Sequence, residues 1–393
     1  MTLKNIFLKK NKEQFIYRQH PYIFSGAIAH QDDDIEIGDV VEVKNKQGDF
    51  LAVAHFHPGS LALRVLSFQP VEINDQFWLD KITQAFQLRT SNQDRLLQDT
   101  DCFRLVHGEG DFLPGLIIDI YDKTAVIQCH TIGMLRQVQS ITKAMIQVIG
   151  DQLTHIYHKS ADVISKEYMV ENEYLYGENP TDVVAKEHGL LYQVDIEGGQ
   201  KTGFFLDQRQ SRKIIQSYVK DKSVLNTFCY TGGFSISALA AGAQSVRSVD
   251  QSKSALAILE KNIALNNFQD KDHQSSAMDV LAYLKENSQQ YDVIVVDPPA
   301  YTKSKARRHK AVQAYKRLNA EAIRHIKPNG IIFTFSCSQA VDAPLFYNTI
   351  QAAAIETGRQ IRILNILQQP FDHPVSIYCQ EKRYLKGLVI AVD

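Results

Sequence analysis

Two stretches decide the fold: Val293-Ile-Val-Val-Asp-Pro-Pro-Ala-Tyr301 and Ile331-Ile-Phe-Thr-Phe-Ser-Cys337. Each begins with an apolar run rich in β-branched or aromatic residues and then turns polar, a pattern typical of a buried strand that ends there. In an open α/β sheet, ligands bind beyond the carboxyl ends of the strands. We therefore expect a carboxylate, Asp297, and a thiol, Cys337, to face one reaction centre.

Strands and helices alternate from about residue 187 onward, which predicts a parallel, doubly wound sheet. One further strand is expected directly before Asp279. The remaining predicted strands are 223–226, 245–249, 293–296, 331–335, 360–364 and 384–390, and the predicted helices are 234–241, 253–266, 279–287, 307–326 and 345–357.

The residues before this sheet predict two smaller domains. Residues 1–70 show short alternating runs with turn residues between them, which indicates a β-barrel-like module. Residues 72–185 begin with a helical pattern over 72–97 and continue with strands near 116–121, 125–130 and 156 and a helix near 134–149, which indicates a small α/β domain. The sheet then occupies residues 187–393.

Composition is that of a globular protein, and 393 residues exceed one ordinary core. No apolar run approaches the ~18 residues of a membrane span. The first residues have no extended apolar stretch or small-residue cleavage site, which argues against a secretory signal. The five cysteines are odd in number and form no CxxC pair, so neither a disulfide framework nor a metal site is expected. These features favour a cytoplasmic location.

The net charge of −1 conceals a local cluster of cations. The segment 303–317 holds seven Lys or Arg and no Asp or Glu, and it directly follows the Asp-Pro-Pro strand end. Phosphate binding needs a local positive face rather than a basic protein. The alternative is a solvated start of a helix. The candidate phosphate contacts are Lys303, Lys305, Arg307, Arg308 and Lys310.

A glycine pair follows the first predicted strand of the sheet, in Thr227-Phe-Cys-Tyr-Thr-Gly-Gly-Phe-Ser235. Gly232 and Gly233 allow the backbone to turn sharply and to approach a ligand closely. The helix that follows offers unpaired N–H groups at its N-terminus. The loop lacks the Gly-x-Gly-x-x-Gly spacing of dinucleotide sites.

Two carboxylates follow the next strands. Asp250 is placed to accept both hydroxyls of a ribose, or else to cap the helix beginning near Ser252. Asp279 has the same two readings, as a ligand of an adenine amino group or as a helix cap. Together with the glycine pair and Asp297, this set resembles class I S-adenosylmethionine (SAM)-dependent methyltransferases. The cofactor-binding residues that the resemblance implies are Phe228, Tyr230, Thr231, Gly232, Gly233, Asp250, Asp279, Asp297 and Pro298.

Further motifs extend the resemblance over essentially the whole chain. They are His20-Pro-Tyr-Ile-Phe-Ser-Gly26, Gly203-Phe-Phe-Leu-Asp-Gln-Arg209, Asp372-His-Pro-Val375 and Tyr384-Leu-Lys-Gly387. In content and order the chain resembles the bacterial large-subunit rRNA 5-methylcytosine methyltransferase family. The resemblance implies an N-terminal PUA domain, an RNA-binding β-barrel, ahead of a central α/β domain and a Rossmann-like class I methyltransferase sheet. It also implies SAM as cofactor and rRNA as partner, with no membrane partner, and leaves a homodimer possible.

The chain departs from this family at one place. After Asp-Pro-Pro the family is expected to have Lys and Phe, whereas this chain has Ala300 and Tyr301. The change keeps an aromatic ring and removes a cation. Arg209 has two readings: it contacts the cofactor carboxylate or the RNA, or it forms an ion pair on a helix surface.

The resemblance assigns a chemical role to Cys337. C5 of cytosine is a poor nucleophile, and a thiolate that adds at C6 makes C5 enamine-like. We expect Cys337 to be this nucleophile and Asp297 to hydrogen-bond to the base edge or protonate it. The other thiols are those of Cys102, Cys129, Cys229 and Cys379. We expect these side chains to pack in the core, except that Cys229 lies in the cofactor loop and either packs there or lines the site.

Three alternatives remain. The stretch Asp297-Pro-Pro-Ala-Tyr301 also resembles rRNA guanine-N7 methyltransferases, which need no cysteine because a ring nitrogen already has a lone pair. An inactive RNA-binding protein is the second alternative. A nicotinamide dehydrogenase is the third, and the missing glycine spacing argues against it.

Overall fold

The computed structural model describes residues 3–91, 97–180, 182–302 and 304–393. The chain forms two compact units. The first comprises Met1–Val183, Val194–Gly203 and Phe371–Lys382, and the second comprises Val184–Gln193, Phe204–Pro370 and Arg383–Asp393. Within the described ranges, every helix is too short or too polar to cross a lipid bilayer.

A six-stranded sheet opens the first unit, in the order β2-β6-β5-β4-β1-β3. Burial alternates along β1 and β4, as expected of strands with one face on a core. That core is built from aliphatic side chains such as Ile6, Val41, Val43 and Leu63. The elements are β1 (Lys4–Leu8), α1 (Gln14–Tyr17), β2 (Tyr22–Phe24), β3 (Ile28–Gln31), β4 (Val40–Lys44), β5 (Phe50–Phe56) and β6 (Leu61–Ser67).

A five-stranded sheet, in the order β11-β10-β9-β8-β7, forms the rest of the first unit. Two helices, α2 and α4, pack against each other, and Trp78 is fully buried in their shared core. The elements are α2 (Asp75–Thr90), β7 (Cys102–His107), β8 (Leu116–Tyr121), β9 (Thr124–Cys129), α3 (Ile132–Arg136), α4 (Val138–Ile149), β10 (His155–His158) and β11 (Glu173–Tyr176).

The second unit contains a hairpin and the predicted seven-stranded sheet, in the order β16-β15-β14-β17-β18-β20-β19. Its elements are β12 (Val184–Glu187), β13 (Leu190–Gln193), α5 (Arg209–Ile215), β14 (Ser223–Thr227), α6 (Gly233–Ala240), β15 (Ser245–Asp250), α7 (Lys253–Leu265), β16 (His273–Ala277), α8 (Val280–Glu286), β17 (Tyr291–Val296), α9 (Arg308–His325), β18 (Ile326–Ser336), α10 (Ala343–Thr357), β19 (Ile361–Leu367) and β20 (Lys386–Val392).

The first five strands of this sheet, β16, β15, β14, β17 and β18, run parallel. Their carboxyl ends therefore meet at one edge, where ligands bind in such sheets. The last two strands, β20 and β19, are antiparallel to their neighbours. The predicted alternation of strands and helices is confirmed, as is the mixed α/β class with a β domain at the N-terminus.

Two predicted features differ in detail. The helix predicted over 72–97 ends at Thr90 in the described residues, and the helix predicted near 134–149 is split into α3 and α4. The strand expected before Asp279 is β16, His273–Ala277. It is a polar strand at the edge of the sheet, so neither apolar alternation nor a buried run marked its bounds.

A buried ion pair ties the hairpin to α5. Glu187 at the end of β12 accepts two hydrogen bonds from Arg212, at 2.6 Å from Nε and 2.7 Å from Nη2. Both side chains are 3% exposed or less. Burial alone would raise the pKa of the Glu187 carboxyl, but the charge and hydrogen bonds of Arg212 hold it below its ordinary value. Arg212 also donates to the Phe205 carbonyl at 2.9 Å.

We expect Arg212→Met to destabilise the second unit strongly, because Glu187 would lose its bidentate partner inside the protein. Breaking a buried pair costs about 3–5 kcal/mol. In a unit of this size, that loss should lower the thermal unfolding midpoint by roughly 10 °C in calorimetry. The matched control is Arg362→Met, because Arg362 pairs with Asp393 on the surface of the same unit and such pairs contribute about 0–1 kcal/mol. Equal small shifts in both variants would contradict the prediction.

Candidate active site

The loop after β14 turns sharply before α6 begins. Phe228, Tyr230 and Gly232 have φ angles of 54°, 49° and 83°, all in the left-handed region. At Gly232 a Cβ atom would lie 2.0 Å from Cδ1 of Leu259, so a side chain there would displace the packing of α7. The turn therefore requires glycine at this position, and it leads directly into the N-terminus of α6 at Gly233.

Asp250 ends β15 and holds this loop in place. Its Oδ2 accepts a hydrogen bond from the Tyr230 N–H and its Oδ1 accepts one from the Ser252 N–H, each at 2.9 Å. The alternative reading, in which Asp250 itself caps the next helix, is wrong, since the Ser252 hydroxyl caps α7 by accepting from the Ala255 N–H at 3.2 Å. A carboxylate has about four lone-pair positions, so two remain for a ligand.

Asp279 lies at the end of the neighbouring strand, β16. Its Oδ1 caps α8 by accepting from the Ala282 N–H at 2.9 Å, so the capping alternative is confirmed. Its Oδ2 accepts from Nε2 of Gln251 at 2.9 Å, which links the loops after β15 and β16. The side chain is exposed, and its contact with an adenine amino group stays a prediction.

Two buried polar atoms at this edge suit a polar ligand. Oγ1 of Thr231 and Oε1 of Gln208 are buried and make no hydrogen bond with the described residues. Buried polar atoms in folded proteins nearly always have a partner, often a bound ligand or water. The glycine turn, the two carboxylates and these two atoms fit a nucleoside with an amino-acid tail, as in SAM. Gln208 was not singled out from sequence, although it lies in the motif ending at Arg209.

Arg209, a predicted cofactor ligand, is 1% exposed. Its Nε lies 3.4 Å from Oε2 of Glu187, beside the pair that Glu187 makes with Arg212. The alternative reading predicted an ion pair for Arg209, and the structure shows one with Glu187. It placed that pair on a helix surface, which is wrong because the pair is buried. Its contact with the cofactor carboxylate stays a prediction.

The structure brings Cys337 to the loop that contains Asp297. The adjacent parallel strands β17 and β18 end here, and Sγ of Cys337 lies 4.0 Å from the carbonyl oxygen of Pro298. Asp297 accepts a hydrogen bond from Nε2 of Gln208 at 3.0 Å. The hydroxyl of Ser338 donates to the Thr302 carbonyl at 2.7 Å, so the two loops are tied together.

Cys337 differs from the other four cysteines in exposure. It is partly exposed, whereas the others are buried. Burial raises the pKa of the Cys129 and Cys379 thiols to about 12, and that of Cys229 well above its ordinary value. The thiolate is the nucleophilic form of cysteine. The thiols of Cys129, Cys229 and Cys379 therefore remain protonated.

Tyr301, which stands where the family is expected to have Phe, packs its ring against Tyr315 of α9. Their ring centroids are 4.8 Å apart and the rings meet edge to face at 68°. Burial raises the pKa of the Tyr301 phenol to about 12, so this side chain is neutral. Tyr315 is fully buried and was not identified from sequence, because an aromatic residue in a helix is usually core packing.

The predicted phosphate contacts lie at the start of α9 and just before it. Arg307, Arg308 and Lys310 are exposed, and none forms an ion pair with a residue that the structure describes. Lys305 opens a short 3₁₀ turn, Lys305–Arg307. Lys303 and the side chain of Lys305 lie outside the described residues.

Comparison with protein families identifies two regions. Residues 104–375 match the model of S-adenosylmethionine-dependent methyltransferases, and residues 6–68 match a PUA-like domain. Among curated proteins, the ribosomal RNA large subunit methyltransferase I of Alteromonas mediterranea is 38% identical over 394 residues, covering 98% of each chain. The protein of the same name from Vibrio vulnificus is 38% identical over 396 residues, covering 98% of this chain and 99% of its own.

Solved structures agree on the fold. The crystal structure of SMU.776 complexed with SAH covers 98% of this chain and 99% of its own, with a TM-score of 0.84 and 24% identity. Trm5b from Pyrococcus abyssi covers all of both chains, with a TM-score of 0.53 and 16% identity. At these identities the likeness concerns the fold alone.

We expect Asp250→Ala to weaken SAM binding by roughly 10- to 100-fold, because hydrogen bonds to a charged group contribute about 1.5–3 kcal/mol each. Isothermal titration calorimetry with SAM measures the change. The control is Asp272→Ala, because Asp272 pairs with Arg247 at the opposite end of the same strands and is 53% exposed. Unchanged affinity in Asp250→Ala would show that this carboxylate does not contact the cofactor.

Proposed function

This chain belongs to the ribosomal RNA large subunit methyltransferase I family of SAM-dependent methyltransferases, and from that premise we propose that it forms 5-methylcytosine in large-subunit rRNA. Cys337 is the nucleophile that adds to C6 of the cytosine. Asp297 hydrogen-bonds to the edge of the same base. The observation that carries this proposal is the position of Cys337, the one partly exposed thiol of the five, beside the Asp-Pro-Pro loop.

The proposed substrate rests on the relatives and on the N-terminal domain. The relatives that match over 98% of this chain are named for methylating large-subunit ribosomal RNA. The PUA-like match over residues 6–68 supplies a module of an RNA-binding class ahead of the methyltransferase region. A ribosomal substrate places the reaction in the cytoplasm.

The proposed chemistry follows from the weakness of C5 as a nucleophile. SAM supplies an electrophilic methyl group on a sulfonium. The Cys337 thiolate would form a bond to C6, and the electron pair of the C5–C6 double bond would then form a bond from C5 to that methyl, while the methyl–sulfur bond breaks and its electrons remain on the sulfur of the neutral thioether product. Loss of the C5 proton to a base and breakage of the C6–S bond then restore the ring and release the thiolate.

The surroundings of Asp297 support its role as a binding group. Its Oδ2 accepts a hydrogen bond from Nε2 of Gln208 at 3.0 Å, which orients the carboxylate in its loop. The residue ends a buried strand and is itself partly exposed. Its loop is held to the cysteine loop by the hydrogen bond from Ser338 to Thr302. This bond restrains the position of the cysteine loop relative to the Asp-Pro-Pro loop, as positioning of reacting groups requires.

A covalent trap tests the nucleophile. We expect rRNA fragments containing 5-fluorocytidine to form a denaturation-resistant adduct with the wild-type chain when SAM is present, because fluorine at C5 cannot leave as the proton does. Cys337→Ala should form no adduct and should lose methyl transfer by several orders of magnitude while SAM binding is kept. Gel electrophoresis of the denatured mixture and mass spectrometry of the rRNA measure the two outcomes.

The matched control is Cys102→Ala, which removes a fully buried thiol from the first unit and should keep both adduct and turnover. Turnover retained in Cys337→Ala would reject the cysteine mechanism. Methyl appearing on guanine N7 without any adduct would favour the guanine alternative, and SAM binding without methylation of any rRNA base would favour an inactive RNA-binding protein.

The cations at the start of α9 are proposed as contacts to the RNA backbone. Arg307, Arg308 and Lys310 are exposed and lie a few residues beyond the Asp-Pro-Pro loop. Solvent-exposed cations without an ion-pair partner among the described residues are available to phosphates at little desolvation cost. Lys303 and Lys305 belong to the same proposal by sequence.

The combined change Arg307→Gln, Arg308→Gln and Lys310→Gln should weaken rRNA binding and flatten its dependence on salt. Each phosphate contact contributes about 0.7–0.9 to the slope of log affinity against log salt, so we expect the slope to fall by roughly 2. Filter binding at several salt concentrations gives the slope. The control variant replaces three exposed lysines of α7 and α8 with Gln and so removes the same number of positive charges: Lys253, Lys261 and Lys285. Equal slopes for both triple variants would reject the contact.

A further inference from the structure

We propose that Lys386 is a positioning residue that holds Cys337 in its reactive thiolate form. The proposal rests on the proposed role of Cys337 and extends it, because it names the source of the positive charge that a thiolate nucleophile needs. Lys386 is the first residue of β20, in the motif Tyr384-Leu-Lys-Gly387, for which the fold and cofactor site supply no other role.

The register of the sheet places Lys386 beside the cysteine loop. Lys386 lies opposite Ser336, the residue before Cys337, in the antiparallel pair β18–β20. Its ammonium donates to the carbonyl of Ser338, the residue after Cys337, at 2.6 Å. A second hydrogen bond runs to the carbonyl of Tyr384 at 2.5 Å. Lys386 is therefore linked to the residues on both sides of the thiol, to Ser336 by strand pairing and to Ser338 by its ammonium.

Lys386 is an unusual lysine because it is only 6% exposed. Lysine side chains are almost never buried unless they are paired. Burial lowers the pKa of its ammonium from the ordinary value to about 8, and negative charge on Cys337 and on Asp342 acts in the opposite direction. The ammonium is thus still mostly protonated at neutral pH.

The effect between the two groups is mutual. A thiolate at Cys337 favours the ammonium of Lys386, so the ammonium favours that thiolate by the same free energy. Three other titratable groups of the described residues lie near this pair: the phenol of Tyr315 on α9, the carboxylate of Asp342 at the start of α10, and the carboxylate of Asp297, whose neighbour Pro298 contacts the thiol. Burial raises the pKa of Tyr315, which is neutral, and Asp342 is engaged in capping α10 through the Leu345 N–H at 2.9 Å.

A purely structural role makes a different prediction. If Lys386 only ties β20 to the loop, a side chain that keeps two N–H donors should replace it without changing the thiol. Lys386→Gln keeps such donors for the carbonyls of Ser338 and Tyr384 but has no charge. Lys386→Arg keeps the charge. The pair of variants therefore separates hydrogen bonding from electrostatics.

The test follows alkylation of the whole chain by iodoacetamide across pH, without SAM or RNA, and quantifies the Cys337 peptide by mass spectrometry. In Lys386→Gln the midpoint should move up by about one pH unit, because an opposite charge nearby shifts such midpoints by about 1–3 units. In Lys386→Arg it should stay near the wild-type value. Lys327→Gln is the control, since Lys327 pairs with Asp292 at the far end of β18.

An unchanged midpoint in Lys386→Gln would overturn the proposal. If that variant fails to bind SAM or to unfold cooperatively, the wild-type profile decides: a midpoint about one unit below that of a free cysteine, near 8.5, supports the proposal, and a midpoint at or above it overturns it. Because alkylation needs no turnover, it separates this proposal from the cysteine mechanism. Retained methylation in Cys337→Ala would reject the mechanism, whatever the alkylation profile shows.

Discussion

The buried contact between Glu187 and Arg212 is the interaction on which the second unit depends. It fastens the hairpin β12–β13 to α5, and the same guanidinium lies against Gly233, where a Cβ atom would approach the Arg212 side chain to 3.0 Å. A buried charge that loses its partner is far more costly than the pair is stabilising. The contact thus determines where α5 lies, and α5 follows directly on Gln208, the partner of Asp297.

The parallel pairing of the strands brings the residues of the candidate site together. Strands β14 to β18 bring the glycine turn, the carboxylates of Asp250 and Asp279, Asp297 and Cys337 to one edge, although these residues are spread over more than a hundred positions of sequence. Side chains at this edge are then fixed by hydrogen bonds between loops and not by the strands alone. Asp250 holds the glycine turn, and Ser338 holds the loop after Asp-Pro-Pro. Such cross-loop bonds keep a site rigid while it remains open to substrate.

Sequence predicted the sheet well because its central strands are apolar runs with abrupt ends, as at 293–296 and 331–335. The bounds of the polar strand β16 could not be predicted because its residues are only partly buried. The role of the Asp250 side chain was ambiguous because a carboxylate at the end of a strand can cap a helix or bind a ligand. The burial of Arg209 and the approach of Lys386 to Cys337 arise from contacts between distant segments. Local sequence patterns contain no signal for either.

The contacts of Lys386 bear on the departure from the family at Ala300. The family is expected to have a lysine there, whereas this chain has a small exposed residue followed by Tyr301, whose ring is packed on Tyr315. The Asp-Pro-Pro loop lacks a cation at this position, whereas Lys386 of β20 supplies one that is bonded to the residue after Cys337. A buried ammonium bonded to two carbonyls cannot swing away as an exposed lysine can. The charge near the thiol is therefore held by β20 of the sheet and not by the Asp-Pro-Pro loop.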